Sequence, residues 1–392
     1  MYGLMENAIY GGRVDNSFDQ RVLAAYLRAI FNRDTLSGGG KPRRPLCDEI
    51  QLPSSANIKD YMRVVDGFPD EDQPRYFGLP ANITFSWEMT ESRAVIGQLR
   101  HLQMHEGAAH KFDRDAWSAA LTPILNLWKK LNQGSTMHQT RLTAPVDQPG
   151  QSPVTAFLRL ERYNAVELLH FVHGTLAALS RAIRGTAALS SQTRLLAAAL
   201  LKHETPGQWQ SRWEGPEDPM QYLPLLVSKA KAVHNWVTKA EANQLFGEVL
   251  DLSELFRPQT FINALRQLTA RDQRLAMDSL KLAAVWGGSS IAGAKGARPV
   301  QLTGLQMEGA YFDGNSLREM QRNSPPISNV PPLTVAWIPK DSADPYKADE
   351  AVTLPVYYSQ TREKVVVNIA VPCGKETGKW LISGAALFLK GN

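Results

Sequence analysis

The stretch LHFVHGTLAALSRAI, Leu169–Ile183, carries a regular apolar repeat within this chain of 392 residues. Its large apolar side chains alternate spacings of three and four, which places them on one helix face: Leu169, Val172, Leu176, Leu179 and Ile183. A stripe of this kind must be covered by other elements. It therefore predicts the core seam of a helical unit.

Three segments after this stretch are predicted to be helices that complete the unit. Thr193–Trp209 ends its helix at Pro206 and Gly207, and Tyr222–Ala240 follows. In Phe256–Arg271, Pro258 occupies a favourable first-turn position. One face of that last helix carries Phe261, Leu265 and Leu268.

The first third of the sequence also predicts amphipathic helices. Phe18–Asn32 has one apolar face, with Asn16 or Ser17 as its N-cap: Phe18, Val22, Leu23, Tyr26 and Ile30. A second capped helix within Ser54–Pro69 stops at Gly67, and a third follows the turn at Phe77–Ile83. Ala144–Val154, rich in Pro, Gly and Gln, is the best candidate linker.

After about Val285 the pattern changes to short β-branched and aromatic runs separated by Pro, Gly, Asn and Asp. That alternation is typical of an antiparallel sheet that closes on itself or forms a sandwich. We therefore expect an α+β chain, with a helical lid subdomain, then a helical bundle, then a small antiparallel β-barrel. The predicted units are residues 1–143, a linker at 144–154, 155–284 and 285–392.

Composition and charge restrict the class of protein. Hydrophobic residues make up 43% and charged residues 21%, as in a packed globular protein. The net charge of +5 is spread out, and Lys41–Arg44 is the densest basic cluster. Two cysteines, Cys47 and Cys373, favour a reducing compartment without a disulfide framework or thiolate zinc site. We expect no secretory signal and no membrane insertion. The first residues are typical of a chain cut from something longer, with Met1 either a cloning start or a mid-chain residue.

No stretch satisfies the phosphate-loop pattern, which needs a lysine followed by a hydroxyl residue. Gly11-Gly12-Arg13 lacks that pair, Gly38–Lys41 is followed by Pro42, and Gly287–Gly296 has Lys295 followed by glycine. We interpret Gly11-Gly12 as a tight reversal that uses glycine-specific backbone angles before the first helix. Arg13, Asp15 and Asp19 are then expected to pair locally or across units.

Other chemistry-bearing residues have ordinary interpretations. The pairs His101/His105 and His170/His173 share helix faces but lack the H-E-x-x-H form of a zinc protease. The acidic stretch Asp66–Gln73 predicts a solvated loop, and Trp209 and Trp213 predict packing anchors. Neither G-x-S-x-G nor C-x-x-C occurs. The sequence predicts no catalytic, cofactor-binding or metal-binding residue.

Several motifs, in order along the sequence, resemble the C-terminal region of dynein heavy chains. The first, AIYGGRVDNSFDQRVL, is similar to a segment of the last AAA+ module, in its cytoplasmic form and nearest to the dynein-1 type. The remaining motifs are FGLPANI (77–83), TPGQWQ (205–210), ELFRPQTFINALRQ (254–267), LTGLQMEGAYFDGNSL (302–317), VTLPVYYSQTR (352–362) and the closing WLISGAALFLK. Together they extend over nearly all of the 392 residues.

The resemblance implies a non-catalytic, ring-closing and regulatory segment of a minus-end-directed microtubule motor that affects processivity and force. ATP and Mg²⁺ would bind in upstream modules. The implied partners are neighbouring AAA+ modules of the same heavy chain and, in the parent complex, intermediate, light intermediate and light chains and microtubules. The implied location is the cytoplasm, in the microtubule-associated dynein complex.

Two alternatives come from other classes of protein. An enzyme with an unrecognised site would have to bind nucleotide. A free-standing basic module would bind RNA, another nucleic acid or an acidic partner through Lys41–Arg44 and the C-terminal half.

Salt dependence tests the basic-module alternative. Because phosphate contacts release counterions, RNA affinity would fall by about 10³-fold or more between 50 and 200 mM salt if several phosphates were bound. We expect no such binding by the 392-residue protein. Titration of labelled single-stranded RNA at several salt concentrations measures it, and a steep salt slope would support the alternative.

Overall fold

Among the residues that the structure describes, helices predominate up to residue 273 and strands after it. The computed structural model describes residues 2–32, 53, 55–68, 70–77, 79, 81–105, 113–134, 137–146, 148–287, 291, 298–320, 325–375 and 377–391. The helices are α1 Tyr2–Leu4, α2 Ser17–Ile30, α3 Ile58–Asp66, α4 Ala81–His105, α5 Arg114–Leu131, α6 Pro153–Ile183, α7 Ser191–Leu201, α8 Gly207–Gln210, α9 Pro219–Glu241, α10 Pro258–Gln273 and α11 Thr377–Ile382. The strands are β1 Val249–Asp251, β2 Leu280–Trp286, β3 Val300–Thr303, β4 Leu305–Glu308, β5 Tyr311–Phe312, β6 Leu317–Arg318, β7 Ile327–Asn329, β8 Leu333–Pro339, β9 Ala351–Tyr357, β10 Val365–Pro372 and β11 Ala386–Leu389.

Helix α6 is the centre of the helical core. Its predicted apolar seam is confirmed, since all five members are buried: Leu169, Val172, Leu176, Leu179 and Ile183. The helix packs against α5, α7, α9 and α10. The predicted face of α10 is confirmed as well, because Phe261, Leu265 and Leu268 are buried and Pro258 lies in the first turn.

The N-terminal helices follow their predicted signals. Asn16 caps α2, because its Oδ1 accepts the Asp19 amide at 2.8 Å. The predicted face of α2 is half-buried, and Leu27 on the same side is fully buried. Helix α3 is capped by Asn57 and ends at Gly67. The division into units at residues 144–154 stays a prediction.

The strands form two larger sheets and a two-stranded ribbon. One sheet has the order β1-β3-β8-β2, the other has the order β10-β9-β11-β4-β7, and β5 pairs with β6. Most pairs are antiparallel, but β1 pairs with β3 and β11 pairs with β9 in parallel. Strand β1 comes from the predicted helical unit, so the sheets recruit a segment that precedes α10.

A mixed α and β fold is confirmed, whereas the small antiparallel β-barrel is not. In the described part of the chain the strands make open sheets, and two strand pairs are parallel. The edge strands β2 and β10 lie side by side, but a side chain joins them: Trp286 Nε1 donates to the Ala370 carbonyl oxygen at 3.0 Å. Closure into a barrel requires a backbone ladder at this seam.

The two sheets are continuous through one corner at Gly304. This residue separates β3 from β4, so a single run of backbone passes from one sheet to the other. Its φ of +83° is in the left-handed region, which favours glycine. A Cβ atom here would lie 1.8 Å from Asp251 Oδ1, so the corner also needs a residue without a side chain.

Gly304→Ala should therefore destabilise the fold. A left-handed backbone costs an L-residue roughly 1–2 kcal/mol, and the Asp251 carboxylate must also move. We expect the free energy of unfolding to fall by about 2 kcal/mol or more in urea titrations. The control is Gly247→Ala, because nothing lies within 4 Å of its Cβ position. Equal stability of the two variants would contradict this account of the corner.

Candidate functional site: the junction of helices and sheets

A buried ammonium group lies where the helical core meets the sheets. Lys229, on α9, is 1% exposed. Its Nζ donates hydrogen bonds to the carbonyl oxygens of Ser253 and Leu255, the latter at 3.0 Å. It also lies 5.8 Å from the centroid of the Trp213 ring. These contacts fix the backbone between β1 and α10 against the helical core.

Sequence reasoning missed Lys229, although a signal was available. Lysine is ordinarily exposed, so a lysine within a helix is read as part of its solvated face. Here the residue continues the buried stripe of α9: Tyr222, Leu226, Lys229, Val233 and Trp236. A charged residue in register with an apolar stripe indicates a buried, paired charge.

A buried carboxylate on α6 lies close to this ammonium group. Glu161 is 2% exposed, and its Oε1 accepts the backbone N–H of Arg257 at 2.7 Å. The Arg257 guanidinium lies 4.0 Å from Oε2. Burial raises the pKa of Glu161, and the amide and charge of Arg257 oppose that rise. The carboxylate thus fixes the start of α10 against α6.

Burial also perturbs the lysine. It lowers the pKa of Lys229 to about 8, although the nearby carboxylates of Glu161, Asp251 and Glu254 act in the opposite direction. Perturbed ionisable groups beside a cavity also occur in active sites. In this site both donor contacts of Nζ go to backbone carbonyl oxygens of the same protein, so the arrangement serves to hold elements together.

Lys229, Glu161 and Trp213 together form what we call the buried cluster. Polar contacts connect this buried cluster to the sheets. Trp213 Nε1 donates to the Tyr358 hydroxyl oxygen at 2.8 Å, and burial raises the pKa of Tyr358 to about 12. Glu214 forms an ion pair with Lys364, just before β10. These residues, with Glu161 and Arg257, line a cavity of about 310 Å³ between the helices and the sheet.

A second set of contacts joins the N-terminal helices to the last part of the fold. Three side chains donate to backbone carbonyl oxygens more than 300 positions away: Arg21 Nη2 to Thr353 at 3.1 Å, Tyr26 Oη to Ile382 at 3.2 Å, and Asn82 Nδ2 to Ser383 at 3.0 Å. Gly384 has φ +65°, and its Cβ would lie 2.7 Å from Ile83 Cδ1. We call these contacts the latch.

The Gly-Gly reversal requires a correction. Gly11–Arg13 forms a 3₁₀ turn, and neither Gly11 nor Gly12 is among the described glycines with positive φ. A 3₁₀ turn uses ordinary helical angles, so the pair is not there for left-handed backbone. Instead, Gly11 allows a close approach, since its Cβ would lie 3.1 Å from the Glu6 carbonyl oxygen.

The histidines do not assemble a metal site in the described part of the chain, where no group of three His, Cys, Asp or Glu is arranged for a metal ion. His173 Nδ1 accepts from Trp128 Nε1 at 3.2 Å, and the His138 and His173 ring centroids are 4.5 Å apart. Burial lowers the pKa of both His138 and His173. His101 and His105 lie on α4, but their side chains are outside the described part.

The other residues singled out from the sequence either have structural roles or lie outside the part of the chain that the structure describes. Trp209 and Trp213 are confirmed as packing anchors, with ring centroids 5.9 and 4.8 Å from that of Tyr222. The described residues of Asp66–Gln73 are mostly exposed, as predicted for a solvated loop. Outside the described residues lie Gly38–Arg44, Cys47 and most of Gly287–Gly296. None of the described helices combines the length and apolarity needed to cross a membrane.

Two protein-family models match the sequence, one over its first 83 residues and the other over most of the remainder. The family model described as the AAA lid domain of the dynein heavy chain matches residues 1–83. The family model described as the C-terminal domain of the dynein heavy chain matches residues 89–389, which is more than half of the sequence. The first match contains α2 and α3, and the second contains the buried cluster.

Individual relatives match over nearly the whole sequence. "Cytoplasmic dynein 2 heavy chain 1" of Tripneustes gratilla is 52% identical over 392 residues, and that of Homo sapiens is 50% identical, each covering 100% of this chain. "Dynein heavy chain, cytoplasmic" of Dictyostelium discoideum is 23% identical over 96% of the sequence. The chain spans about 9% of the length of the two relatives at half identity. The expectation of a dynein-1 type is wrong, because those two relatives carry the dynein 2 name.

The lowered pKa of Lys229 predicts that the stability of the fold depends on pH. The pKa of Lys229 is about 8 in the fold and about 10.5 when exposed, so the unfolded state holds the proton more tightly. Stability from this group therefore rises with pH between about 8 and 10.5, by about 3 kcal/mol at most. The free energy of unfolding of the wild type minus that of Lys229→Met, both measured by urea titration, should show that rise. Lys231→Met, at an exposed neighbour on α9, is the control, and an equal rise with both variants would contradict the assignment.

Proposed function

Since this protein belongs to the C-terminal domain family of dynein heavy chains, we propose that it closes and restrains the ring of an ATP-driven, minus-end-directed microtubule motor. Its role is mechanical: it transmits strain between the last AAA+ module and the rest of the ring. We propose no hydrolysis by these residues. ATP and Mg²⁺ bind in upstream modules of the parent heavy chain.

The observation that carries this proposal is the latch. Residues 1–83, matched by the AAA lid family, are tied by Arg21, Tyr26 and Asn82 to carbonyl oxygens in the C-terminal part of the fold. A displacement of the lid is thereby passed to α11 and β9. Coupling requires contacts that differ between two states of the ring, and a few hydrogen bonds to the backbone suit that requirement.

The buried cluster supplies the stiffness that such transmission needs. Lys229 and Glu161 hold the start of α10 against α6 and α9, and Trp213 continues the connection to Tyr358 at the end of β9. Packed interiors have low compressibility, so a force applied at the latch reaches the helical core with little loss.

An exposed apolar face supports contact with neighbouring AAA+ modules. On α3, Ile58, Met62 and Val65 are 74%, 57% and 60% exposed. Further large apolar side chains on α4 are exposed, including Phe85, Met89 and Ile96. Faces of this kind mark protein contacts. We propose that they are covered by upstream modules of the same heavy chain.

The wider proposals follow from family membership. The parent complex assembles with intermediate, light intermediate and light chains, binds microtubules and works in the cytoplasm. The relatives from Tripneustes gratilla and Homo sapiens carry the word cytoplasmic in their names.

Loosening the latch should change movement more than hydrolysis. In a complete motor, Tyr26→Phe with Asn82→Ala removes two donors and leaves the Ile382 and Ser383 carbonyl oxygens without these bonds. We expect the microtubule-stimulated ATPase rate to change less than twofold, while single-molecule run length falls by roughly fivefold. A fivefold change is the effect of a coupling free energy at the lower end of the typical range.

Two comparisons make this test decisive. Arg28→Ala, at an exposed position on α2, is the matched control and should leave run length unchanged. Deletion of residues 285–392 removes the carbonyl partners of the latch, the whole β10-β9-β11-β4-β7 sheet, and strands β3 and β8 of the other sheet. If ATPase, stepping and stall force are all unaffected by the deletion, the regulatory role is refuted.

A further inference from the structure

A groove of about 510 Å³ opens on the helical core, formed by α6, the start of α7 and α8. Its floor is one face of α6 that includes Phe171, Gly174 and Ala178. Gln192 stands on the α7 side, with Gln208 and Arg212 on the α8 side. The volume is within the range typical of ligand sites. Neither the Lys229 ammonium nor the latch lines it.

Arg212 supplies a prepared charged group at this groove. Its guanidinium carbon lies 4.0 Å from the centroid of the Phe171 ring, so the planar group is held against the floor. The side chain is exposed, and within the described ranges no carboxylate or carbonyl pairs with it. A stacked guanidinium keeps its N–H edge available for a carboxylate.

Two primary amides line the groove, Gln192 on the α7 side and Gln208 on the α8 side. The side chains of Gln192 and Gln208 form no hydrogen bond within the part of the chain that the structure describes. Each offers one acceptor and two donors, which match the N–H and C=O groups of a peptide backbone. One half-buried carboxylate, Glu167, also lines the groove one helical turn before Phe171, and it disfavours a second acidic group beside it.

The floor of the groove is kept open by a glycine. Gly174 lies within the 31-residue helix α6, where glycine is less favourable than alanine. A Cβ atom at this position would have nothing within 4 Å, so packing does not require glycine. The residue leaves room above the helix backbone, and a large side group placed there would occupy that room.

We propose that this groove binds an extended peptide segment of a partner protein that carries one acidic residue. The carboxylate pairs with Arg212, the backbone hydrogen-bonds with Gln192 and Gln208, and the peptide crosses the floor at Gly174. Arg212 also lines the cavity beside Glu161 and Trp213, so a partner bound here would contact the outside of the helical core next to the junction with the sheets.

An array of immobilised octapeptides tests the proposal on the 392-residue protein. Each peptide has one central Glu and varied flanking residues, and each is paired with its Gln version. We expect a subset of Glu peptides to bind, with Gln versions at least about tenfold weaker, as for loss of one charged contact. Arg212→Gln should weaken those hits to the same extent, and Gly174→Leu should abolish them.

Matched variants separate groove binding from loss of the fold. Gly174→Ala adds only a methyl group and should retain binding, as should Arg63→Gln on the exposed surface of α3. Thermal melting of every variant shows whether it is folded. If Gly174→Leu is unfolded, the test rests on whether a folded Arg212→Gln variant binds the Glu peptides more weakly than the wild type does. The proposal is overturned if no peptide binds, if Gln peptides bind equally well, or if a folded Gly174→Leu still binds.

Discussion

The junction of the helical core and the sheets depends on one set of hydrogen bonds, those that the buried Lys229 side chain donates. Removing an ammonium ion from water is costly unless polar groups replace its hydration shell. Here the carbonyl oxygens of Ser253 and Leu255 replace that shell in part, and burial still lowers the pKa of Lys229. Ser253 in turn donates to the Asp251 carboxylate, which occupies the space beside Gly304. A single series of polar contacts thus runs from the helical core to the corner shared by both sheets.

Local periodicity made the helices predictable. The stripe from Leu169 to Ile183 and the face of α10 needed only the spacing of apolar residues, and Asn16 was recognisable as a cap because its side group acts within three residues. The sheet topology was not predictable in this way. Strand β1 pairs in parallel with β3 about fifty positions later, and no local pattern encodes that partnership.

The site was harder to predict than the fold. Lys229 and Glu161 belong to residue types that usually face water, and only their register with apolar stripes distinguishes them. The latch could not be inferred, because Arg21, Tyr26 and Asn82 bind backbone carbonyl oxygens, and the residue types that carry those oxygens give no information about the contact. Ordered motifs identified the family correctly, but they did not separate the two cytoplasmic heavy-chain types.

The latch also has a consequence for how the protein matures. Its partners are separated by more than 300 residues, so closing it has a large entropic cost that only late contacts can offset. During synthesis, α2 leaves the ribosome long before Ile382 and Ser383 exist. Its half-buried face must therefore remain undocked until the final strand is made. Chaperone access to the nascent polypeptide should be greatest in that interval, and it should end when α11 is in place.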